Sequence, residues 1–326
     1  MDNKTIYKKT LGFSLRRVLW DILSLVLILG TSTLGFFIAD KVVKDGSGPI
    51  GLLIGLVIGI IAVVLILRFV SYQLKAGQIA MMTKGITEGE LPDNVIQEGK
   101  KVVKERFLTV AAYFAVTKVI KGIFNQIGRA ITKVGESIGG DAGGAVGSAI
   151  NSVIQTIISY LSDCCLGWVF FRKEVKAAKA TCEGAVLFFK HGKTFAKNMG
   201  RVFGMGALTL LLIGGAFAGI FYAILSTQQQ ALSGIYEQVA EFARNTENPN
   251  FITNALQNPV TVPIVFAVIG GIIMWAIIHS TFIRPFVLTG VLRNYLESGM
   301  NEVPSESSFA LLDSKSEKFR KLHQEI

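Results

Sequence analysis

Charge is scarce in this chain: Asp, Glu, Lys and Arg make up 17% of its 326 residues, against roughly a quarter in soluble domains. The polar surface that two water-soluble domains of this length require is therefore missing. Histidine is scarcer still, at three residues, and the acids are dispersed. A histidine-built metal centre and a paired-carboxylate hydrolase site both lack raw material. The motifs HExxH and GxxxxGK[ST] are absent, and Gly204-Met205-Gly206 opens an apolar stretch with no strand before it, so it is no dinucleotide loop. The composition points to no enzyme, no cofactor and no resident metal. Cysteine is limited to Cys164, Cys165 and Cys182. A vicinal pair without CxxC spacing or a neighbouring histidine reads as packing or palmitoylation, with no disulfide framework.

What the chain has in quantity is apolar length: 51% of residues are hydrophobic and the mean hydropathy is +0.49. Runs at 18–39, 49–70, 203–225 and 260–283 each exceed the 18 or so residues that cross a hydrocarbon core. No small-residue cleavage site follows the first, and Gly46-Ser47-Gly48-Pro49 leads tightly into the second, so a retained hairpin is expected rather than a signal peptide.

Two further stretches, 107–133 and 144–171, are long and mostly apolar but carry polar residues at helical spacing. Charge decides how they are read. If both cross, six spans leave 26 Lys and Arg on the side of the termini and 5 on the other, the bias that the positive-inside rule gives for cytoplasmic termini. If 107–133 lay flat while 144–171 crossed, the basic segment 172–202 would fall outside. The expected fold is therefore all-α, a polytopic α-helical integral membrane protein of about six transmembrane helices plus amphipathic interfacial helices. It would sit in the cell membrane with both termini cytoplasmic. Cytoplasmic segments are expected at 71–106 and 172–202, an outer loop at 226–259 and a cytoplasmic tail at 284–326. The first segment should break into two short helices with a turn at 88–93. The second should form an amphipathic helix at the inner interface. In the outer loop Ile235, Val239 and Phe242 suggest a small capping helix, and the tail should be loose until about residue 309.

Function is sought in the middle stretches. Lys118, Lys121, Asn125, Arg129 and Lys133 lie along one helical stripe, as do Gly144, Ser148, Asn151, Gln155, Ser159 and Ser162, with Asp163 at the cytoplasmic end. Charges cannot face lipid cheaply. Facing stripes would make a polar seam lining a pathway for a small polar or charged solute. The open alternative is that Lys118 and Lys121 snorkel on a tilted interfacial helix while the Ser/Asn/Gln edge bonds neighbouring helices. His279, just before Arg284-Pro285, is placed to pair with Asp163, and Asp21 with Arg17. Glycines at Gly51, Gly55 and Gly59, and at Gly215 and Gly219, allow close helix packing within the chain, or a homo-oligomer seam. The net charge of +10 is an orientation signal with contact to anionic lipid headgroups, and nucleic acid is not an expected partner. A non-transporting scaffold that binds anionic lipid or a protein partner through 100–106 and 172–201 is the competing function.

The strings Lys8-Lys9 to Arg16-Arg17, Gly89-Glu90-Leu91-Pro92 and Val102-Val103-Lys104-Glu105-Arg106-Phe107 resemble an uncharacterised prokaryotic multi-pass membrane protein family. Cys164-Cys165-Leu166, Phe188-Phe189-Lys190-His191-Gly192-Lys193 and Asn198 resemble the C-terminal half of choline-transporter-like proteins over roughly 130 residues. That resemblance implies transport of a quaternary amine. The family's long extracellular loop and ten-span plan are absent here, and no site residue is carried over.

Overall fold

The computed structural model describes the backbone of residues 1–43, 46–107, 110–139, 144–247, 250–302 and 304–326, and their side chains apart from 43, 66–69, 71, 110–111, 127–154, 192–201 and 203. Among the described residues every regular element is a helix: α1 Asn3–Ile38, α2 Gly48–Thr87, α3 Val95–Arg106, α4 Val110–Gly139, α5 Gly144–Phe171, α6 Ala177–Thr209, α7 Gly215–Thr227, α8 Gln229–Arg244, α9 Phe251–Leu256, α10 Val262–Ile278, α11 Arg284–Met300, α12 Glu306–Lys315 and α13 Glu317–Gln324. Four helices are long and apolar enough to cross a membrane, over Asn3–Val42, Gly48–Leu65, Gly204–Thr227 and Val262–Met300. They hold the four long apolar runs. The stretches 107–133 and 144–171 fall largely in α4 and α5, which are not among these four, so a count of six is not reached among the described residues.

The chain divides into two compact units. One comprises Met1–Ser14, Tyr72–Phe203 and Arg284–Ile326; the other comprises Leu15–Ser71 and Gly204–Ile283.

The second unit is two apolar helix pairs. In the first pair the backbones of α1 and α2 touch: a Cβ added at Gly51 would stand 2.1 Å from the Gly35 carbonyl oxygen, and one at Gly55 2.2 Å from that of Thr31. Glycine is the residue that permits this approach, so the Gly51/Gly55/Gly59 face packs within the chain. In the second pair the close contact is Gly271 against the Gly214 carbonyl, where an added Cβ would be 2.4 Å away, while Gly215 and Gly219 face open space. The capping helix is α8, but its buried residues are Tyr236, Ala240 and Ala243, and Phe242 is exposed. Of the expected Ile235, Val239 and Phe242 edge, Val239 packs against the buried Tyr236, Ala240 and Val262 cluster, and the buried face is otherwise displaced one position, where small alanines allow α8 close to Val262.

π-helical turns interrupt this unit at Leu210–Gly214 and His279–Ile283, the latter directly before Arg284-Pro285. A proline removes one backbone donor and displaces the turn before it, and a π-turn absorbs that displacement. Its Thr281 donates to Asp21 Oδ2 at 3.0 Å. Asp21, expected against Arg17, thus has a hydroxyl partner as well as the Arg17 charge acting on it.

In the first unit the start of α1 docks on the polar end of α2. Phe13 lies between Gly77 and Gly99, where added Cβ atoms would come within 2.8 and 2.6 Å of its ring. α2 continues unbroken past Gly85 to Thr87, and the turn comes at Gly89, whose φ of +78° favours glycine. Asn94 then caps α3, accepting from the Gln97 N–H. Ile120, Ile123 and Phe124 of α4 share one buried cluster with Leu161 and Cys165 of α5, Cys182 and Val186 of α6, and Leu312 and Phe319 of the tail. Ser316 Oγ donates to Gln126 Oε1 at 2.5 Å and accepts from the Phe319 N–H, capping α13. The tail therefore becomes ordered where its Phe309, Leu312, Phe319 and Leu322 find the apolar side of α4.

Candidate functional site

The strongest electrostatic feature of the first unit is Asp163, at the end of the α5 polar stripe and buried, with its side chain 6% exposed. Three helices converge on it. Lys75 of α2 places Nζ 2.7 Å from Oδ1, and Arg284 of α11 places Nη2 2.6 Å from Oδ2. The same guanidinium donates to Ser159 Oγ at 2.6 Å and lies over the Tyr160 ring, 5.2 Å from its centroid. An unpaired carboxylate could not be held dry. Two cations on one anion leave a net charge of +1, and the Tyr160 hydroxyl is buried without a hydrogen-bond partner among the described residues. The cluster ties the three helices together; it contains neither a nucleophile beside a base nor a metal-ligand set.

A second buried acid, Glu183 of α6, takes Arg172 Nη1 at 3.2 Å and Trp168 Nε1 at 3.3 Å. Arg106, at the end of α3, donates to the Arg172 and Val175 carbonyls at 3.0 and 2.8 Å, fixing the turn between α5 and α6. Burial lowers the pKa of Arg106 from its ordinary value. Burial pushes the Cys182 thiol up to about 12. At the surface Glu302 is held below the usual glutamate value, first by the hydrogen bond from Lys190 and then by His191.

The expected site residues separate. Ser159 and Asp163 meet in the cluster just described, and Gln155 is exposed. Lys118 and Lys121 are exposed on α4, while Asn125 is half-buried with Oδ1 lacking a hydrogen-bond partner among the described residues. The side chains of Arg129, Ser148 and Asn151 lie outside the described residues. The His279 ring lies tilted against Trp275, ring centroids 5.0 Å apart, and the partners of Asp163 are Lys75 and Arg284. The sequence reading passed over Lys75 and Glu183. The signal was general: an acid inside an apolar helix needs a cation, and Lys75 is a cation late in α2. Gly135-Glu136-Ser137-Ile138-Gly139 has nucleophile-elbow spacing, yet it lies within α4 and lacks the strand-to-helix turn that motif needs.

The exposed lysines are concentrated. Lys100, Lys101 and Lys104 on α3, Lys118 and Lys121 on α4, and Lys4, Lys8 and Lys9 on α1 all belong to the first unit. By sequence that unit holds 27 Lys and Arg against 17 acids, and the second holds 6 against 6, so the whole excess of +10 falls in the first. No family model, no curated protein and no solved structure matches this chain, and nothing in these comparisons bears on the choline-transporter-like resemblance.

Proposed function

We propose that the chain is a four-span membrane protein whose first unit lies in the cytoplasm and engages anionic lipid headgroups through its lysines. The observation that carries this reading is the charge split: a neutral apolar unit and a unit bearing the full +10. Two helix pairs, 15–71 and 204–283, return the chain to one side after each pair. That puts 1–14, 72–203 and 284–326 together, with Lys41, Lys44 and Arg244 the three basic residues opposite and 30 on the inner side. This exceeds the bias of the six-span plan. The tail supports it as well. Under six spans Gln126 would sit near the outer leaflet, about 28 Å along a helix that begins at 107, yet its amide holds Ser316 of the cytoplasmic tail. We infer that α4 and α5 form a cytoplasmic hairpin whose apolar face meets α6, α12 and α13 instead of lipid.

Each lysine near an anionic surface contributes about 1 kcal/mol. The test is lipid selectivity of the full chain. Extracted in polymer-bounded discs from vesicles of mixed phosphatidylcholine and phosphatidylglycerol, the protein should carry excess phosphatidylglycerol. Replacing Lys100, Lys101, Lys104, Lys118 and Lys121 by Gln should remove the excess, as should raised salt. Equal lipid ratios in protein discs and bulk vesicles would end the proposal.

A second reading, a permeation pathway for a small polar or charged solute, rests on one observation: the α5 stripe runs from Gln155 through Ser159 into the buried Asp163, Lys75 and Arg284 cluster. It requires solute flux from proteoliposomes that Asn151→Leu with Lys118→Ala and Lys121→Ala abolishes.

A further inference from the structure

The connection from α7 to α10 in the second unit, read from sequence as an outer loop, presents large apolar side chains on its surface. Phe251 is 88% exposed, and Phe242, Ile252 and Val260 are exposed as well. Ordered backbone holds them there. Asn250 caps α9, its Oδ1 accepting from the Ile252 and Thr253 N–H groups at 2.9 Å, while Thr253 Oγ1 accepts from the Asn250 N–H at 2.6 Å. Arg244 Nε donates to the Gln257 carbonyl at 3.0 Å and so fastens the end of α9 to the end of α8. Two adjacent large apolar residues on a capped helix, left facing outward, mark a contact surface.

The setting of α8 says what that surface meets. On one side Tyr236 and Ala240 pack with Val262, the first residue of α10, and the Tyr236 hydroxyl reaches the Leu225 carbonyl near the end of α7 at 3.4 Å. Gln238 lies on another side, where a Cβ added at Gly48 would stand 3.0 Å from its Oε1 and 2.6 Å from the Phe36 ring. Gly48 opens α2 and Phe36 lies near the end of α1, so α8 rests against the loop ends of both helix pairs. Two flanks of α8 remain, one with Glu237, Glu241 and Arg244, the other with Ile235 and Phe242. The charged flank is tied by Arg244 Nη2 to Glu237 Oε1 at 2.8 Å. Charge is costly in hydrocarbon, and an exposed aromatic ring gains by leaving water. A helix at the ends of membrane spans, charged along one flank and apolar along the other, is stable in the interface, with the first flank in water and the second in lipid. Val260 continues the surface downward. It begins a stripe of exposed residues at every fourth position of α10, through Ile264, Val268 and Ile272, where an apolar span turns toward acyl chains.

We infer that α8 and α9 are an interfacial anchor embedded in the outer leaflet, with Phe242, Phe251 and Ile252 seated among the upper acyl chains and Glu237 and Glu241 in water. The partner is the lipid surface itself, which fixes the depth of the two helix pairs at their loop ends. The inference rests on the four crossing helices of the proposed function and uses none of its lysines.

The test places an environment-sensitive nitrobenzoxadiazole label on a single introduced cysteine in the full chain; the native Cys164, Cys165 and Cys182 are buried. Labelled Phe242→Cys, Phe251→Cys, Glu241→Cys and Val268→Cys proteins are placed in phosphatidylcholine discs, both faces of which are open to solution. Labels at 242 and 251 should lose most of their fluorescence when lipid with a nitroxide near the top of its acyl chain is included, and should resist dithionite. The label at 241 should be bleached by dithionite and ignore the nitroxide. Labels at 242 and 251 bleached as fast as that at 241 would overturn the inference. So would shielding from dithionite without quenching by lipid, which would mean that a second copy or another protein covers the surface. The label at 268 separates the two readings: if it is quenched while those at 242 and 251 are not, the anchor alone fails, and if it is unquenched the four-span arrangement fails with it.

Discussion

Substitution of Asp163 by Asn gives the sharpest energetic test of the first unit. The shape of the side chain is kept, but Lys75 Nζ and Arg284 Nη2, at 2.7 and 2.6 Å, lose their anion. Removing one partner of a buried pair costs about 3 to 5 kcal/mol, because the remaining charge stays desolvated. Here the stranded cations are 31% and 24% exposed and can turn toward water, so the lower end, about 3 kcal/mol, applies. Cys164, the buried neighbour of Asp163, supplies the assay. Its alkylation in the native protein requires the unit to open, so the labelling rate should rise on the order of 100-fold in Asp163→Asn. Adding Arg284→Met to Asp163→Asn should cost less than the two single changes together, by more than about 1 kcal/mol, since the pair is coupled. A labelling rate within a few-fold of wild type, or strict additivity, would refute the view that this cluster holds α2, α5 and α11 together.

Further outcomes follow from particular contacts. With its thiol raised to about 12 by burial, Cys182 should resist maleimide at pH 8 until the protein is denatured; fast native labelling of this residue would show that α6 does not seal it. Gly55→Leu forces a side chain onto the Thr31 backbone, where even a Cβ would come within 2.2 Å, and should cost about 3 kcal/mol or more of helix-pair stability in detergent unfolding; a neutral result would break the α1 and α2 packing described above. Because Lys190 and His191 hold the Glu302 carboxyl below its ordinary value, its tie to α6 contributes at neutral pH and is lost as pH falls below about 4. Amide exchange at 302 should accelerate there in wild type and lack that step in Glu302→Gln, and an identical profile in the two would deny the contact.

The four long apolar runs were legible because membrane-crossing length is a property of local composition. Which residues pack on α4 and α5 was not. A helix with one wet and one dry edge states that its dry edge is covered, without saying by what. The cover here is Leu312 and Phe319, nearly 200 residues after Ile120 and in a tail that reads as polar. Their spacing was a usable signal, since Phe309, Leu312, Phe319 and Leu322 mark two short amphipathic turns that need an apolar partner. Asp163 is similar. Its need for cations was readable from chemistry, whereas the choice of Lys75 and Arg284 over His279 depends on contacts between α2, α5 and α11 that no local pattern encodes. The turn expected at 88–93 was legible from Gly89 and Pro92, and it forms where Gly89 adopts a positive φ, between the end of α2 at Thr87 and the start of α3 at Val95.

The four-span arrangement proposed above rests on the side of the membrane reached by the end of α4. A compartment-reporting tag inserted after Gly139 and, in a second protein, after Thr246 in the loop following α8 would decide it. The expected result is a cytoplasmic signal from the first, matching the termini, and an external signal from the second. An external signal after Gly139 would restore the crossing of 107–133, return α4 and α5 to the bilayer and contradict the cytoplasmic hairpin proposed above.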